Sequence, residues 1–491
     1  MKSFGIRLRL AACVAIALLA FVVPAGCQPS GASGTTKAQK MDALLEAYSR
    51  YHEFNGSVLV AEHGKIILRK GYGMADMEWS IPNSPETKFR LGSVTKQFTA
   101  TLIVKLVERG KLALDGKLAD YLPYYRKDVG ARVTIENLLT HTSGLPNYTD
   151  RPDYATLDLH PYTPEEFVKQ YCSGDLQFEP GSKFQYSNSN YFILGAVIEQ
   201  LTGKPYKQVL REEILQPLGM NDTGYDEFSV VLPHRAKGYT RFVDKFENAK
   251  YFDSSTPYAA GSLYSTVDDL YKWDQALYTD AVLPEKYKAI MFQPHLQNYA
   301  LGWFVAKVPE GQPGAGNTLI SHGGGIDGFM TLIERYVQDR NLVVMLNNTG
   351  LFPLKEIQQA IEAILYDKPY SMPKPPIAET LERTIEEKGV SAGVSQFRQL
   401  KAASPDDYDF GELQLYSLGQ LLVQEKRLPD ALAIAQLWVE AYPKSLMAYL
   451  GLADAYMSGG QKEQAIATYK KALELDPTNS FVAGKLKQAQ Q

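Results

Sequence analysis

The last quarter of the chain carries a 34-residue repeat, and that period limits the fold more than any other feature. Residues 446–479 carry Tyr449, Leu452, Ala453, Tyr456, Gly460, Ala465, Tyr469, Ala472 and Pro477. The preceding 34 residues carry Leu415, Leu418, Gly419, Leu422, Ala431, Ala435, Trp438 and Pro443 in matching places. A fixed period of this length marks stacked helical pairs. The small Ala and Gly residues let paired helices approach, and the large ones fill the space between them. Fewer than about three pairs rarely stand alone. A degenerate pair over 378–411, a capping helix from 480, or docking on the rest of the chain is therefore expected. The segment before the repeats, Lys368–Pro376, holds four prolines in nine residues and reads as a stiff linker.

Upstream the pattern changes. Asn55–Ala61 and Lys65–Tyr72 are apolar-rich strands around a Glu62-His63-Gly64 turn. Helical periodicity runs from Val94 to Val107. From about 115 to 300, short helices mix with loops rich in Gly, Pro, Tyr and Asn. Strands return at Thr318–Ser321, Phe329–Tyr336 and Leu342–Asn347, with Gln338-Asp339-Arg340 as a turn, and Leu354–Tyr366 reads as a helix. Terminal strands around a helical middle predict an α+β fold: an antiparallel β-sheet flanked by helices, with a helical subdomain, followed by an all-α repeat domain. The expected organisation is an export signal at 1–26, a linker at 27–40, the α+β domain at 41–367, the proline-rich linker at 368–377 and the helical repeats at 378–491.

The export signal rests on Lys2, Arg7 and Arg9 ahead of an apolar run from Leu10 to Val23. Fourteen helical residues span roughly 21 Å, short of the roughly 30 Å hydrocarbon core of a membrane. A positive start, a short apolar core and small residues at its end make a secretory signal peptide. Ala25-Gly26-Cys27 resembles a lipobox, with Pro24 in place of the usual Leu. Lipidation of Cys27 and a membrane anchor are the expectation, with ordinary signal cleavage as the alternative. Gln28–Lys40 would be the tether. Cys13 leaves with the signal, so Cys172 has no partner for an internal disulfide and reads as a small core residue. Without the three signal charges the chain has 48 basic against 55 acidic residues, a balance of -7. That excludes the dense basic footprint of a nucleic-acid binder.

For chemistry, the common hydrolase signatures are absent. There is no G-x-S-x-G and no H-E-x-x-H, and the seven histidines lack metal-ligand spacing. Nothing in the pattern calls for a cofactor or a metal. Ser93-Val94-Thr95-Lys96 stands out by context. Ser371 and Lys374 share the spacing but enclose Pro373, whereas Ser93 opens an apolar helix with Phe98, Leu102, Ile103, Leu106 and Val107. Residues three apart share a helix face. Lys96 therefore sits one turn behind Ser93 in a buried helix, where desolvation lowers its pKa and fits it to take the serine proton. A serine cap followed by a solvated lysine is the alternative for the tetrapeptide alone.

The surrounding residues favour the catalytic interpretation. Leu91 to Thr99 resembles the active-site helix of class C β-lactamases and related penicillin-recognising serine enzymes. Leu139-Thr140-His141-Thr142-Ser143-Gly144-Leu145 is similar to that family's helix-to-loop segment. Pro180-Gly181 and then Tyr186-Ser187-Asn188 resemble its Tyr-x-Asn motif, and His322-Gly323-Gly324 its Lys/His-x-Gly strand. Pro217 to Met220 and Ala260-Gly261-Ser262 match further landmarks. The resemblance covers roughly 41–367. Beyond it, the 34-residue unit resembles a tetratricopeptide repeat.

The family resemblance implies roles. Ser93 is the nucleophile, Lys96 activates it, and Tyr186 shuttles protons to the leaving group and helps activate water. Asn188 bonds Lys96 and the substrate amide. The N–H groups of Ser93 and Gly325 form the oxyanion hole, with Gly324 beside them. Tyr186 needs adjacent positive charge to act as a base, which Lys96 and His322 could supply. His141 reads as structural. A Lys-Thr-Gly strand would offer a fixed cation and a hydroxyl to a substrate carboxylate. Here His322 is expected to be partly charged near neutral pH, and Gly323 has no hydroxyl. That favours a peptidase or esterase on a D-amino-acid peptide or small ester over an efficient β-lactamase. The alternative is a lipid-anchored sensor of penicillin or wall peptide whose repeats report to a protein partner.

Overall fold

The computed structural model describes residues 35–350, 354–477 and 479–490. The signal peptide, Cys27 and the start of the tether lie outside the described residues. The chain divides into two compact units, residues 1–36 and 37–491. Only residues 35 and 36 of the first are described, and the second holds the helices and strands of the described residues.

A helix, α1 (Lys37–Arg50), begins inside the stretch assigned to the tether, and Lys37 pairs with Glu62 at 2.7 Å. Strands β1 (Gly56–Glu62) and β2 (Lys65–Tyr72) follow, joined by His63-Gly64. Both turn residues have positive φ (49° and 74°), the geometry a two-residue hairpin of this hand demands. A single 3₁₀ turn, Gly92–Val94, leads into α2 (Thr95–Glu108). Then come α3 (Asn188–Thr202), the hairpin β3 (Tyr239–Phe242) and β4 (Lys245–Asn248), and α4 (Val267–Leu277). The domain closes with β5 (Phe304–Lys307), β6 (Thr318–Ile326), β7 (Phe329–Tyr336), β8 (Asn341–Asn347) and α5 (Lys355–Leu365).

Six of these strands form one antiparallel sheet in the order β5-β6-β7-β8-β1-β2. Both faces of its middle are covered. Val58, Val60, Val343 and Met345 pack under α1 and α5 with Met41, Leu44, Ile357 and Ile361. Leu59, Ala61, Val344 and Leu346 face the other way, in one core with Phe98, Ile193 and Trp273 of α2, α3 and α4. This is why β1 and β8 read as continuous apolar runs rather than alternating ones.

The strand that the apolar pattern ended at Ser321 runs on to Ile326, through the His322-Gly323-Gly324 segment that the family resemblance assigned to a strand. Glycine is a poor strand former, so Gly323-Gly324-Gly325 hid this extension from the apolar pattern alone. Crowding accounts for the glycines. A Cβ at Gly324 would lie 2.0 Å from the Leu91 carbonyl oxygen, and one at Gly92 would lie 2.9 Å from the Gly325 nitrogen.

The C-terminal helices are α6 (Ile377–Lys388), α7 (Val390–Ala403), α8 (Glu412–Gln424), α9 (Leu428–Ala441), α10 (Leu446–Ser458), α11 (Lys462–Leu475) and α12 (Ser480–Gln490). The starts at 412, 446 and 480 keep the 34-residue period. The array is docked on the first domain. The tip of the β3–β4 hairpin, Phe242 and Val243, lies in one apolar cluster with Ile377, Leu381, Leu415, Leu418 and Leu422. The Val243 N–H donates to the Ser417 hydroxyl at 2.8 Å, and Lys245 pairs with Glu382 and Glu425 at 2.8 and 2.7 Å. Val243 has φ 58°, a strained conformation for a β-branched residue. The proline-rich segment is also tied down at its end, where the Asp409 N–H donates to the Pro375 carbonyl. Among the described residues, no helix is long and apolar enough to cross a membrane.

Candidate active site

Ser93 sits in the tight turn just ahead of α2, half-exposed, while the helix behind it is almost wholly buried. Gly92 (φ 54°) lets the turn press against the extended part of β6. β5 pairs with β6 only over Thr318–Ser321, so the edge from His322 onward faces this turn instead of another strand. The Thr331 hydroxyl fixes the approach by donating to the Leu91 carbonyl at 2.7 Å.

Lys96, one turn into the site, has no solvent exposure. Its Nζ donates to Ser93 Oγ at 2.9 Å, to Asn188 Oδ1 at 2.9 Å and to the Ala260 carbonyl at 2.8 Å. Burial holds its pKa well below the usual lysine range. Two of its three partners, a backbone carbonyl and an amide oxygen, can only accept. A neutral amine therefore donates to those two and keeps its lone pair for the Ser93 hydroxyl, the one partner able to give a proton. This arrangement suits a buried lysine to accept a proton from one oxygen.

Tyr186 lies beside it, with Lys96 Nζ 4.9 Å from the ring centroid. Burial pushes the Tyr186 hydroxyl well above the usual tyrosine range, and a hydrogen bond with Ser93 pulls the other way without overcoming it. The expected positive surroundings do not develop, because Lys96 is biased toward neutrality and His322 is neutral. Burial therefore biases Tyr186 toward the protonated phenol.

The expectation for His322 needs correction. It is 3 % exposed, and its Nε2 lies 3.1 Å from the Tyr299 hydroxyl. Burial pushes its pKa down to about 3, and any positive charge on Lys96 acts in the same direction. It is not partly charged near neutral pH and does not line the cleft in front of Ser93. Its ring stands 6.4 Å from that of Tyr186, inside the wall.

Two contributors were missed in the sequence. The Ala260 carbonyl was noted only as part of a landmark. Tyr299 contacts His322 and His141 but lies in no motif. His141, read as structural, fits that reading: it is fully buried with its ring 4.2 Å from that of Tyr186. Its Nδ1 accepts from the Ser187 N–H at 3.2 Å, so it orients the Tyr186 segment from behind. Cys172 is buried and its thiol is pushed up by burial, in keeping with a core role.

In front of Ser93 lies a cleft of about 240 Å³. Its walls include Tyr148, Tyr154, Asn188, Phe252, Gly325 and Asp327. A larger hollow of about 700 Å³ lies between the helical array and the first domain, around Tyr48, Lys374, Phe410 and Tyr442, and contains none of the site residues. As for metals, Glu382, Glu386 and Glu425 lie close enough to share an ion, but the Lys245 ammonium already stands among them.

A family profile described as Beta-lactamase matches residues 39–365, and one described as Tetratricopeptide repeat matches 447–479. "Penicillin-binding protein 4*" of Bacillus subtilis (strain 168) is 30% identical over 432 residues, covering 83% of this chain and 90% of that protein. Among solved structures, D-amino acid amidase from Ochrobactrum anthropi SV3, complexed with L-phenylalanine amide, superposes with TM-score 0.58 at 25% identity. It covers 67% of this chain and 98% of its own. EstCE1, described as a hydrolase with promiscuous acyltransferase activity, gives TM-score 0.59 at 25% identity with the same coverage.

Proposed function

Because the chain belongs to the Beta-lactamase family of serine hydrolases, with a tetratricopeptide repeat near its C-terminus, we propose that it works through an acyl-enzyme on Ser93, as a peptidase or esterase acting on a D-amino-acid peptide or a small ester. The observation that carries this is the buried Lys96 amine, aimed at the Ser93 hydroxyl with no carboxylate paired to it among the described residues. Ser93 Oγ bonds to the acyl carbon, and its proton passes to Lys96 Nζ. The N–H groups of Ser93 and Gly325 take the developing oxyanion. The C–N or C–O bond breaks as the leaving group receives a proton through the Tyr186 hydroxyl, which Lys96 replenishes. Water then attacks the ester, gives a proton back along the same route, and releases the acid and free Ser93.

The test is a panel of D-Ala-D-Ala peptides, D-amino-acid amides, short-chain esters and β-lactams, read for product and adduct by mass spectrometry. Turnover of amides or esters, with slow or no turnover of β-lactams, is expected. Acylation that stalls across the whole panel would instead make the protein a sensor.

The same proposal places the protein outside the cytoplasm, anchored by lipid on Cys27, with the Lys2, Arg7 and Arg9 start and the Ala25-Gly26-Cys27 sequence in support. Labelled palmitate should be incorporated in cells and lost in Cys27→Ser. Unlabelled wild type in the soluble fraction would refute the anchor. The helical array would serve a protein partner with whatever surface the β3–β4 hairpin leaves free.

A further inference from the structure

We propose that the cleft selects acyl donors bearing a primary amino group close to the reacting carbonyl, and that Asp327 receives the ammonium. This rests on the Ser93 hydrolase reading and names the acyl group that site takes.

Asp327 is the charged side chain among the described residues lining the cleft. It follows the open face of β6, where Gly323 and Gly325 are exposed and offer no side chain. β6 ends at Ile326, and Asp327 opens the turn that follows, so Gly325 and Asp327 line one cleft two residues apart. An amino group one or two atoms from a carbonyl held at Gly325 would share that cleft with the aspartate at 327. Tyr154 and Phe252 wall the same space.

Among the described residues, those lining the cleft include no cation for an anionic acyl group. Lys96 is committed to three partners, and His322 is buried and neutral. Asp327 senses Lys250 and Arg90, and Asp158 senses Asp327 in turn. Arg90 is already held by Asp226 at 2.7 Å and lies over the Phe252 ring. Among the described residues none forms an ion pair with Asp327. A carboxylate brought here would meet a like charge, whereas an ammonium would meet an unpaired opposite one. An α-amino group titrates near ~8, so it is mostly charged at neutral pH.

Asp327 has a second reason to be where it is. With Gly328 (φ 78°) it makes the tight turn from β6 to β7, a place that aspartate suits for local reasons. Asparagine suits the turn as well, so Asp327→Asn removes the charge and keeps the backbone.

The experiment compares kcat/KM for D-alanine p-nitroanilide and its N-acetyl derivative in the full-length wild type and Asp327→Asn. Wild type should favour the free amine by about 10- to 100-fold, the effect of a charge-assisted hydrogen bond, and the variant should lose most of that ratio. A wild-type ratio near one, a ratio unmoved by the substitution, or hydrolysis of p-nitrophenyl acetate with neither anilide accepted would each overturn the role of Asp327. Fluorophosphonate labelling in parallel separates the two layers. Labelled Ser93 with a failed ratio removes only Asp327, and an unlabelled Ser93 removes the hydrolase reading itself.

Discussion

Turnover in Ser93→Ala is expected to fall by at least ~10³-fold, and every covalent acyl adduct should disappear. The substitution deletes the one partner of Lys96 that can give up a proton and leaves the two acceptors, Asn188 Oδ1 and the Ala260 carbonyl, in place. The amine then has nothing to deprotonate at the reacting carbon. Residual activity would come from binding and the oxyanion donors alone. Because Ser93 is half-exposed in its turn, its replacement by alanine should cost little stability, and an unchanged melting temperature would separate lost chemistry from lost fold. Intact-mass measurement after fluorophosphonate treatment checks the nucleophile directly. An adduct mapped to any other residue would sink it.

The second large effect is expected in Tyr186→Phe, a loss of about 10²–10⁴-fold with the fold intact. Phenylalanine keeps the ring that Lys96 and His141 pack against and removes only the hydroxyl. Burial favours the protonated hydroxyl, so under the proposed mechanism it hands on a proton, and the need for a proton depends on the leaving group. Alkyl esters and amides, whose leaving groups must be protonated, should suffer most. A p-nitrophenyl ester, which leaves as a stable anion, should suffer least. Equal losses on both substrate types would argue for a tyrosinate base instead, and unchanged turnover would make Tyr186 structural.

The parts of this molecule that were legible in the sequence are those whose chemistry is local. Ser93 and Lys96 are three apart on one helix, and the apolar run behind them announces the burial that tunes the lysine. The 34-residue period announces helical pairs because each pair carries its own packing residues. The charge on His322 was not legible. It depends on burial against Tyr299 and on Lys96, 226 positions away in sequence, and neither is visible from a histidine followed by three glycines. The extension of β6 was legible through the family resemblance but not through the apolar pattern. Its glycines satisfy the Gly92–Val94 turn pressed against them and run counter to strand propensity. The Ala260 carbonyl could not be found from residue type, because every residue has one.

The hairpin tip sunk among the C-terminal helices bears on how such a protein can be shortened. The proline-rich segment looks like a natural place to cut, yet a hydrolase ended there would carry an open wound. Phe242 and Val243 would lose the apolar cluster that covers them, and Lys245 would lose the carboxylates of Glu382 and Glu425. The left-handed backbone at Val243 would lose the Ser417 hydroxyl that helps hold it. Past β4 the chain runs only a few residues before Phe252 reaches the cleft wall, so slack at the tip would be felt close to the substrate. The two halves are thus joined as a mortise and tenon: whichever piece is removed, the other is left with a shape that made sense only in company.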